Sequence, residues 1–259
     1  TGDALRRRAE TGAGFVAGNQ SLGPMLNLRL ARPEALIDLS MMDELRAFEE
    51  SDQAVTLGAA ITHAEVEDGE VPDPTGGWMR QVAANIAYRA VRNRGTLGGS
   101  LCHADPAADW VTVLPALGAS ALIVGADGPR RMALSAFITG PYTTALGADE
   151  ILRAIEVPKP GPGARWGYWK YIRQIGEFAK ASAAVLIDPA NNRQHAVIGA
   201  LGRAPCHLRE IDAVIAGRVT PAACLTAALS DPPADLALHT VALTRALAAA
   251  GVDMERRRG

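Results

Sequence analysis

The densest run of donor and acceptor side chains lies between Arg92 and Asp109, reading Arg-Asn-Arg-Gly-Thr-Leu-Gly-Gly-Ser-Leu-Cys-His-Ala-Asp-Pro-Ala-Ala-Asp. It holds two arginines, three glycines, two hydroxyl residues, a histidine and two aspartates. Such a mixture suits neither a helix nor a strand. Glycines let a ligand approach the backbone amides, and hydroxyls and guanidinium groups add donors, so the expected guest is a phosphate or pyrophosphate. Asp105-Pro106 then predicts a helix start, with Trp110, Val111, Val113, Leu114 and Leu117 as its apolar residues. A glycine loop before a helix is a common anion site. An ordinary glycine turn with a helix cap is the alternative on these residues alone. Gly18-Asn-Gln-Ser-Leu-Gly-Pro24 repeats the chemistry, again with a simple turn as the alternative. Two such loops favour a ligand with two phosphates. His103, Asp105 and Asp109 have a spacing that could hold a metal, but no second histidine joins them, so no metal site is assigned.

The elements around these loops follow from periodicity and punctuation. A short arginine-rich helix is expected over 5–10. A strand at 14–18 and a second at 35–39 flank the first loop as a β–loop–β unit. Residues 55–61 read as a strand, and Thr62 as the cap of the segment from His63 to Val66. Trp78, Val82, Ile86 and Val91 recur at helical spacing and predict one helix leading into the Arg92 stretch. Residues 119–124 form a β-run, Asp127-Gly128 a hairpin signal, and 150–157 a strand. Lys159-Pro-Gly-Pro-Gly163 is the clearest boundary. Beyond it, three strands with turns between them predict an antiparallel sheet, followed by three helices over 208–216, 221–229 and 236–250.

At 259 residues the chain can bury a sizeable core, and 48% hydrophobic with 21% charged residues describes a globular protein. A net charge of −2 argues against nucleic acid or an acidic membrane as partner. The basic runs Arg6–Arg8 and Arg256–Arg258 read as a solvated helix face or tail. Cys102, Cys206 and Cys224 form no C-x-x-C pair, so this chain is expected to build neither a zinc ribbon nor an iron–sulfur site. No disulfide framework, signal peptide or membrane span is read, and a reducing, cytoplasmic setting is expected. The abrupt start at Thr1 in a helical segment predicts that residues before it are missing.

Five ordered segments resemble one family. Ala17-Gly-Asn-Gln-Ser-Leu22, with Leu28-Arg-Leu-Ala-Arg-Pro33 and Leu36-Ile-Asp38, is similar to the first FAD loop of the medium, flavin-binding subunit of molybdenum hydroxylases. These are the xanthine dehydrogenase and aerobic carbon monoxide dehydrogenase group. Arg94-Gly-Thr-Leu-Gly-Gly-Ser100 with His103-Ala-Asp-Pro-Ala-Ala-Asp109 resembles the second FAD loop. Glu150-Ile-Leu152 with Ile155-Glu-Val-Pro158 resembles the strand that passes the flavin; Tyr168-Trp-Lys170, Arg173 and Gly176-Glu-Phe-Ala179 resemble the Tyr-x-Lys and Gly-Asp-Phe-Ala signatures. Ile198-Gly-Ala-Leu-Gly-Arg-Ala-Pro205 is similar to an Ala-Leu-Gly-Gly-Val-Ala-Pro segment of the C-terminal domain. Asn19 stands where the family has a second glycine, Glu177 replaces Asp, and Trp166 and Trp169 are unusual.

The resemblance implies an α+β protein. A two-part FAD-binding domain of the vanillyl-alcohol-oxidase-like (PCMH) type would occupy 1–160, as subdomains 1–58 and 59–160. A small domain of the carbon monoxide dehydrogenase flavoprotein type, with a three-stranded antiparallel sheet and helices, would occupy 161–259. It implies that Ala17, Gly18, Asn19, Gln20, Ser21 and Leu22, with Thr96, Gly98, Gly99 and Ser100, hold the FAD pyrophosphate. His103 would meet the flavin chain, Asp109 would accept from a sugar-chain hydroxyl, and Ile86 and Leu152 would lie against the ring. Lys170 would stand near the pyrimidine end and stabilise the reduced anion. The bland alternatives are helix-surface pairing for Asp109, a surface lysine for Lys170 and plain core for Ile86. Tyr168 and Trp169 alternate in side, so only one can face the flavin. Arg92 and Arg94 are expected to brace the loop or face a partner.

The function implied is an electron-transferring FAD subunit of a molybdenum hydroxylase complex, an oxidoreductase whose own residues do no acid–base work on the organic substrate. Its partners would be a small 2Fe-2S subunit and a large molybdopterin subunit, as a heterotrimer alone or dimerised, with NAD or another molecule as acceptor. A stand-alone FAD-dependent oxidoreductase acting directly on a small substrate is the alternative, and a non-catalytic nucleotide-binding module is a third reading.

Overall fold

The structure, a computed structural model, describes residues 1–231 and 233–254. The basic run at 256–258 lies outside them. Two compact units are present: Thr1–Ala104 with Ala119–Lys159, and Asp105–Gly118 with the chain from Pro160 on.

The first unit opens with α1 (Gly2–Thr11), closed by Gly12 in the left-handed region at φ 68°. Arg6 and Arg7 are exposed on it. Strand β1 (Gly14–Val16) pairs in parallel with β2 (Leu36–Asp38). Between them the chain forms α2 (Leu22–Asn27), a helix that the β–loop–β expectation did not contain. Pro24 falls in its first turn, where a missing N–H is harmless. The chain continues through α3 (Asp43–Arg46), β3 (Phe48–Glu50), β4 (Ala54–Gly58) and α4 (His63–Asp68). Next come α5 (Trp78–Ala84), α6 (Arg89–Arg92) and α7 (Leu97–His103). After α8 (Asp109–Ala116) in the second unit, the first unit resumes with β5 (Ser120–Gly125), β6 (Gly128–Ala133), α9 (Leu134–Phe137), β7 (Ile138–Gly140), β8 (Thr143–Thr144) and β9 (Glu150–Pro158).

Its main sheet has the order β3-β4-β9-β5-β6 and is antiparallel throughout. The hairpin read at Asp127-Gly128 forms, but its turn is one residue earlier. Gly125 pairs with Gly128, whose φ of 97° demands glycine. In β9 the apolar residues Ile151, Leu152, Ile155 and Val157 are buried, and polar Glu150 and Glu156 are half-buried.

Three sequence expectations change here. The single helix through Val91 is two helices, because the chain turns at Asn85–Ala87 and Ala87 takes φ 42°. Apolar spacing reports which side faces the core, not whether the hydrogen-bond ladder continues. The glycine stretch, judged a poor helix, contains α7, since Thr96 caps it by accepting from Gly99 N at 3.0 Å. The helix expected from Asp105-Pro106 starts only at Asp109; Asp105 instead turns its carboxylate back onto Ala107 N at 2.9 Å, after Ala104 in the left-handed region.

In the second unit, β10 (Arg165–Tyr171), β11 (Ala181–Asp188) and β12 (Arg193–Gly199) form an antiparallel sheet that a two-residue fourth strand, β13 (Cys206–His207), extends. Helices α10 (Ile211–Ile215), α11 (Pro221–Ala228) and α12 (Leu236–Ala249) follow. Alternation splits the central strand by face. Ala181, Ala183, Val185 and Ile187 share a core with Leu225, Leu243 and Leu247. On the opposite face Ser182 meets Thr112 of α8, oxygen to oxygen at 3.4 Å. All eight residues of α8 are buried, as a helix apolar on nearly every side requires.

Candidate functional site

The two glycine loops, far apart along the chain, meet in the first unit. Gly18 is pressed onto the backbone of the second loop, and a Cβ on it would run into the Arg94 carbonyl and lie 2.9 Å from Gly95 Cα. Only glycine permits that approach. Asn19 follows at φ 58°, the left-handed region that asparagine tolerates better than most residues. Asn19 therefore supports a left-handed turn in the first loop. Gln20 Nε2 donates to Gly18 O at 3.1 Å, and Ser21 leads into α2, which begins at Leu22.

The two loops differ in what they leave open. Among the described residues, the N–H groups of Gly18, Asn19, Gln20 and Ser21 donate to no protein acceptor. In the second loop Leu97 N donates to Ile61 O at 3.0 Å, Gly98 N to Ala59 O at 2.8 Å, and Ser100 N to Thr96 O at 3.0 Å. Gly99 N is held by the Thr96 hydroxyl. That loop is consequently a fixed platform, presenting the half-buried Ser100 and the exposed backbone of Gly99. Ala59 N in turn donates to Arg153 O of β9 at 3.0 Å, next to the buried Leu152. Leu152 is thereby tied through Ala59 to the second loop. His103 closes α7 with its ring 5.2 Å from that of Tyr142, centroid to centroid.

The platform stands on α4. Thr62 and Glu65 form a reciprocal cap at its N-terminus, and Thr62 bridges to Thr96. His63 N donates to Gly95 O at 2.9 Å, and its ring lies 3.0 Å from where a Gly95 Cβ would stand. Burial first, and then the Arg92 charge, pull this imidazole down to about 4. Arg92 grips Glu67 with two bonds of 2.7 and 2.9 Å and donates to Ile86 O at 3.0 Å. It thus ties α6 to α4 and fixes the turn that carries Ile86. Arg94 is exposed.

Asp109 and Lys170 lie together in the second unit. Asp109 Oδ1 accepts from Lys170 Nζ and from the Tyr168 hydroxyl, each at 2.7 Å. The two side chains of the ion pair are 9% and 11% exposed, so the carboxylate is not a helix-surface group and the lysine not a surface one. Burial, and then the Asp109 charge, push the Tyr168 phenol well above its usual range, so it remains a donor. Trp169 points to the other face, packs on the helical core and carries the Arg245 guanidinium 5.3 Å above its ring. His63, Glu67 and Tyr168 in this role were not legible beforehand; a histidine at a helix start and a glutamate one turn on are common surface patterns.

A run of unpaired amides beside a glycine contact and a hydroxyl-bearing platform fits the diphosphate of a dinucleotide, whose oxygens accept only.

Residues 3–160 match the family described as the FAD binding domain in molybdopterin dehydrogenase. The nicotine 6-hydroxylase medium subunit of Paenarthrobacter nicotinovorans is 36% identical over 193 residues, covering 73% of this chain and 68% of that protein. The carbon monoxide dehydrogenase medium chain of Hydrogenophaga pseudoflava is 33% identical over 207 residues, 80% of this chain and 72% of the relative. A solved carbon monoxide dehydrogenase structure from the same organism superposes with a TM-score of 0.88 at 28% identity, covering 96% of this chain and 94% of the matched one. With that match to more than half of its length, this chain belongs to the FAD-binding subunits of the molybdenum hydroxylase family and is the flavin-carrying part of an oxidoreductase.

Proposed function

We propose that this chain is the electron-transferring medium subunit of a molybdenum hydroxylase complex, working with a small 2Fe-2S subunit and a large molybdopterin subunit in the cytoplasm. FAD held here would supply the redox chemistry, the capacity to accept electrons from iron–sulfur clusters and release them to NAD or another acceptor. The protein's part is to bind and to orient. The open amides of Gly18 to Ser21 take the diphosphate, while Thr96, Gly98, Gly99 and Ser100 form the wall against which it rests. Ala17 and Leu22 close the ends of the first loop, and His103 and Ile86 flank the second. Leu152, Asp109 and Lys170 enter this reading through the family resemblance, as the groups toward the flavin ring and its chain. We read 1–160 as the two-part FAD domain of the vanillyl-alcohol-oxidase-like type and 161–259 as the C-terminal domain.

The observation that carries the reading is the meeting of the two loops, with the Gly18 to Ser21 amides left open on one side while those of Leu97 to Ser100 on the other are engaged. No helix among the described residues is long and apolar enough to cross a membrane. The test is affinity purification of the tagged chain from its native host, with flavin absorbance and iron and molybdenum analysis of the eluate. Yellow protein carrying both metals in two further polypeptides is expected. A chain that carries flavin and repeatedly elutes alone would remove the complex from the proposal.

A further inference from the structure

The stack beneath the first loop has three layers: the His63 ring, the Gly95 backbone above it, and Gly18 above that. Gly95 lies close to both neighbours. A Cβ on it would stand 3.0 Å from His63 Cδ2 and Nε2, and its own Cα lies 2.9 Å from where a Gly18 Cβ would be. His63 N fixes the height of the middle layer by donating to Gly95 O at 2.9 Å. The ring is 5% exposed, so it cannot be displaced toward solvent without opening the loop. Its own helix is anchored at one end by the Thr62–Glu65 cap and further along by the Glu67–Arg92 pair. The buried imidazole is therefore a fixed spacer against Gly95. Close-packed layers transmit a change in thickness to the next layer.

We propose that His63 is a positioning residue for FAD, a buried buttress that sets the spacing of the two loops and thereby the cofactor's affinity. This rests on the reading that both loops hold FAD. His63 acts through Gly95 and Gly18, and its shape matters more than its bulk. A planar amide can replace it, whereas a branched aliphatic side chain would fill the volume and tilt Gly95.

The test measures FAD affinity of the full chain at neutral pH, by quenching of flavin fluorescence, with circular dichroism and thermal melting of the FAD-free chain as controls. The variants are His63→Ala, His63→Leu, His63→Gln and Gly18→Ala. We expect His63→Ala and His63→Leu to bind FAD about tenfold more weakly. His63→Leu should melt close to the original chain, and His63→Gln should recover most of the affinity. Full affinity in His63→Leu, or no recovery in a folded His63→Gln, overturns the proposal. Gly18→Ala separates the two ideas. If it loses FAD while His63→Leu does not, the buttress falls and the two-loop site stands; if Gly18→Ala binds FAD normally, the two-loop reading itself fails and takes the buttress with it.

Discussion

At the scale of single residues, the structure buries His63 and Asp109 and leaves the Lys170 side chain only 11% exposed. His63 sits near 4 against an ordinary 6.5, so between those values an unfolded chain takes up a proton that the folded chain refuses. Its contribution to stability is complete above pH 6.5 and is lost as the pH falls toward 4. The full loss is on the order of 3 kcal/mol, about 2 kcal/mol of it by pH 5. Urea unfolding at pH 7 and pH 5 should show this drop, and His63→Gln should remove that share of it; an unchanged drop in the variant would assign the pH dependence elsewhere. Asp109 is the second case. Lys170→Met leaves its carboxylate buried with one of its two donors, which should cost about 3 kcal/mol, whereas Tyr168→Phe should cost about 1 kcal/mol. Equal, negligible losses in denaturant titrations would mean that water replaces both partners. The glycines and hydroxyls of both loops were legible from composition, because chemistry of that density has few uses. The partners of Asp109 were not, since Tyr168 and Lys170 reach it from a strand 59 and 61 residues away.

At the scale of elements, α4 emerges as the foundation of the second loop. The Thr62 cap was readable from the residue type and its place before the segment; the structure adds Glu65, and together they satisfy two otherwise orphan amides. What the cap supports was not readable. Thr62→Ala should lower stability by about 1 kcal/mol. Because Gly95 lies over α4, hydrogen exchange of the Gly95 amide, which donates to Val91 O at 2.7 Å, should accelerate more than that of residues in β11. Uniform acceleration would show a global effect and no special link to the loop. The break between α5 and α6 teaches the complementary lesson. Ile86 and Val91 keep helical spacing, yet Arg92 takes the Ile86 carbonyl that a continuous helix would have used.

For the molecule as a whole, the chain path does not follow the obvious boundary. Lys159–Gly163 marks the passage into the second unit, but α8 at Asp109–Ala116 already belongs to that unit and covers the second face of its sheet. A fragment comprising 160–259 lacks α8 and would expose the face carrying Ser182, Ala184 and Leu186. It should show no cooperative thermal transition and little near-ultraviolet dichroism. A sharply melting fragment would mean that α10 to α12 suffice as a core.

The sequence by itself determined the family, the cofactor class, most strands and the residues of both loops. Ordered local patterns carry these, and hydrogen-bonding chemistry limits what such patterns can bind. Only the tertiary structure decided which loop keeps its amides open, because that depends on whether Ala59, Ile61 and Thr96 arrive to accept them. The same holds for the layers of His63, Gly95 and Gly18. Each is an ordinary residue in its own segment, and close approach of three distant backbones makes them a unit.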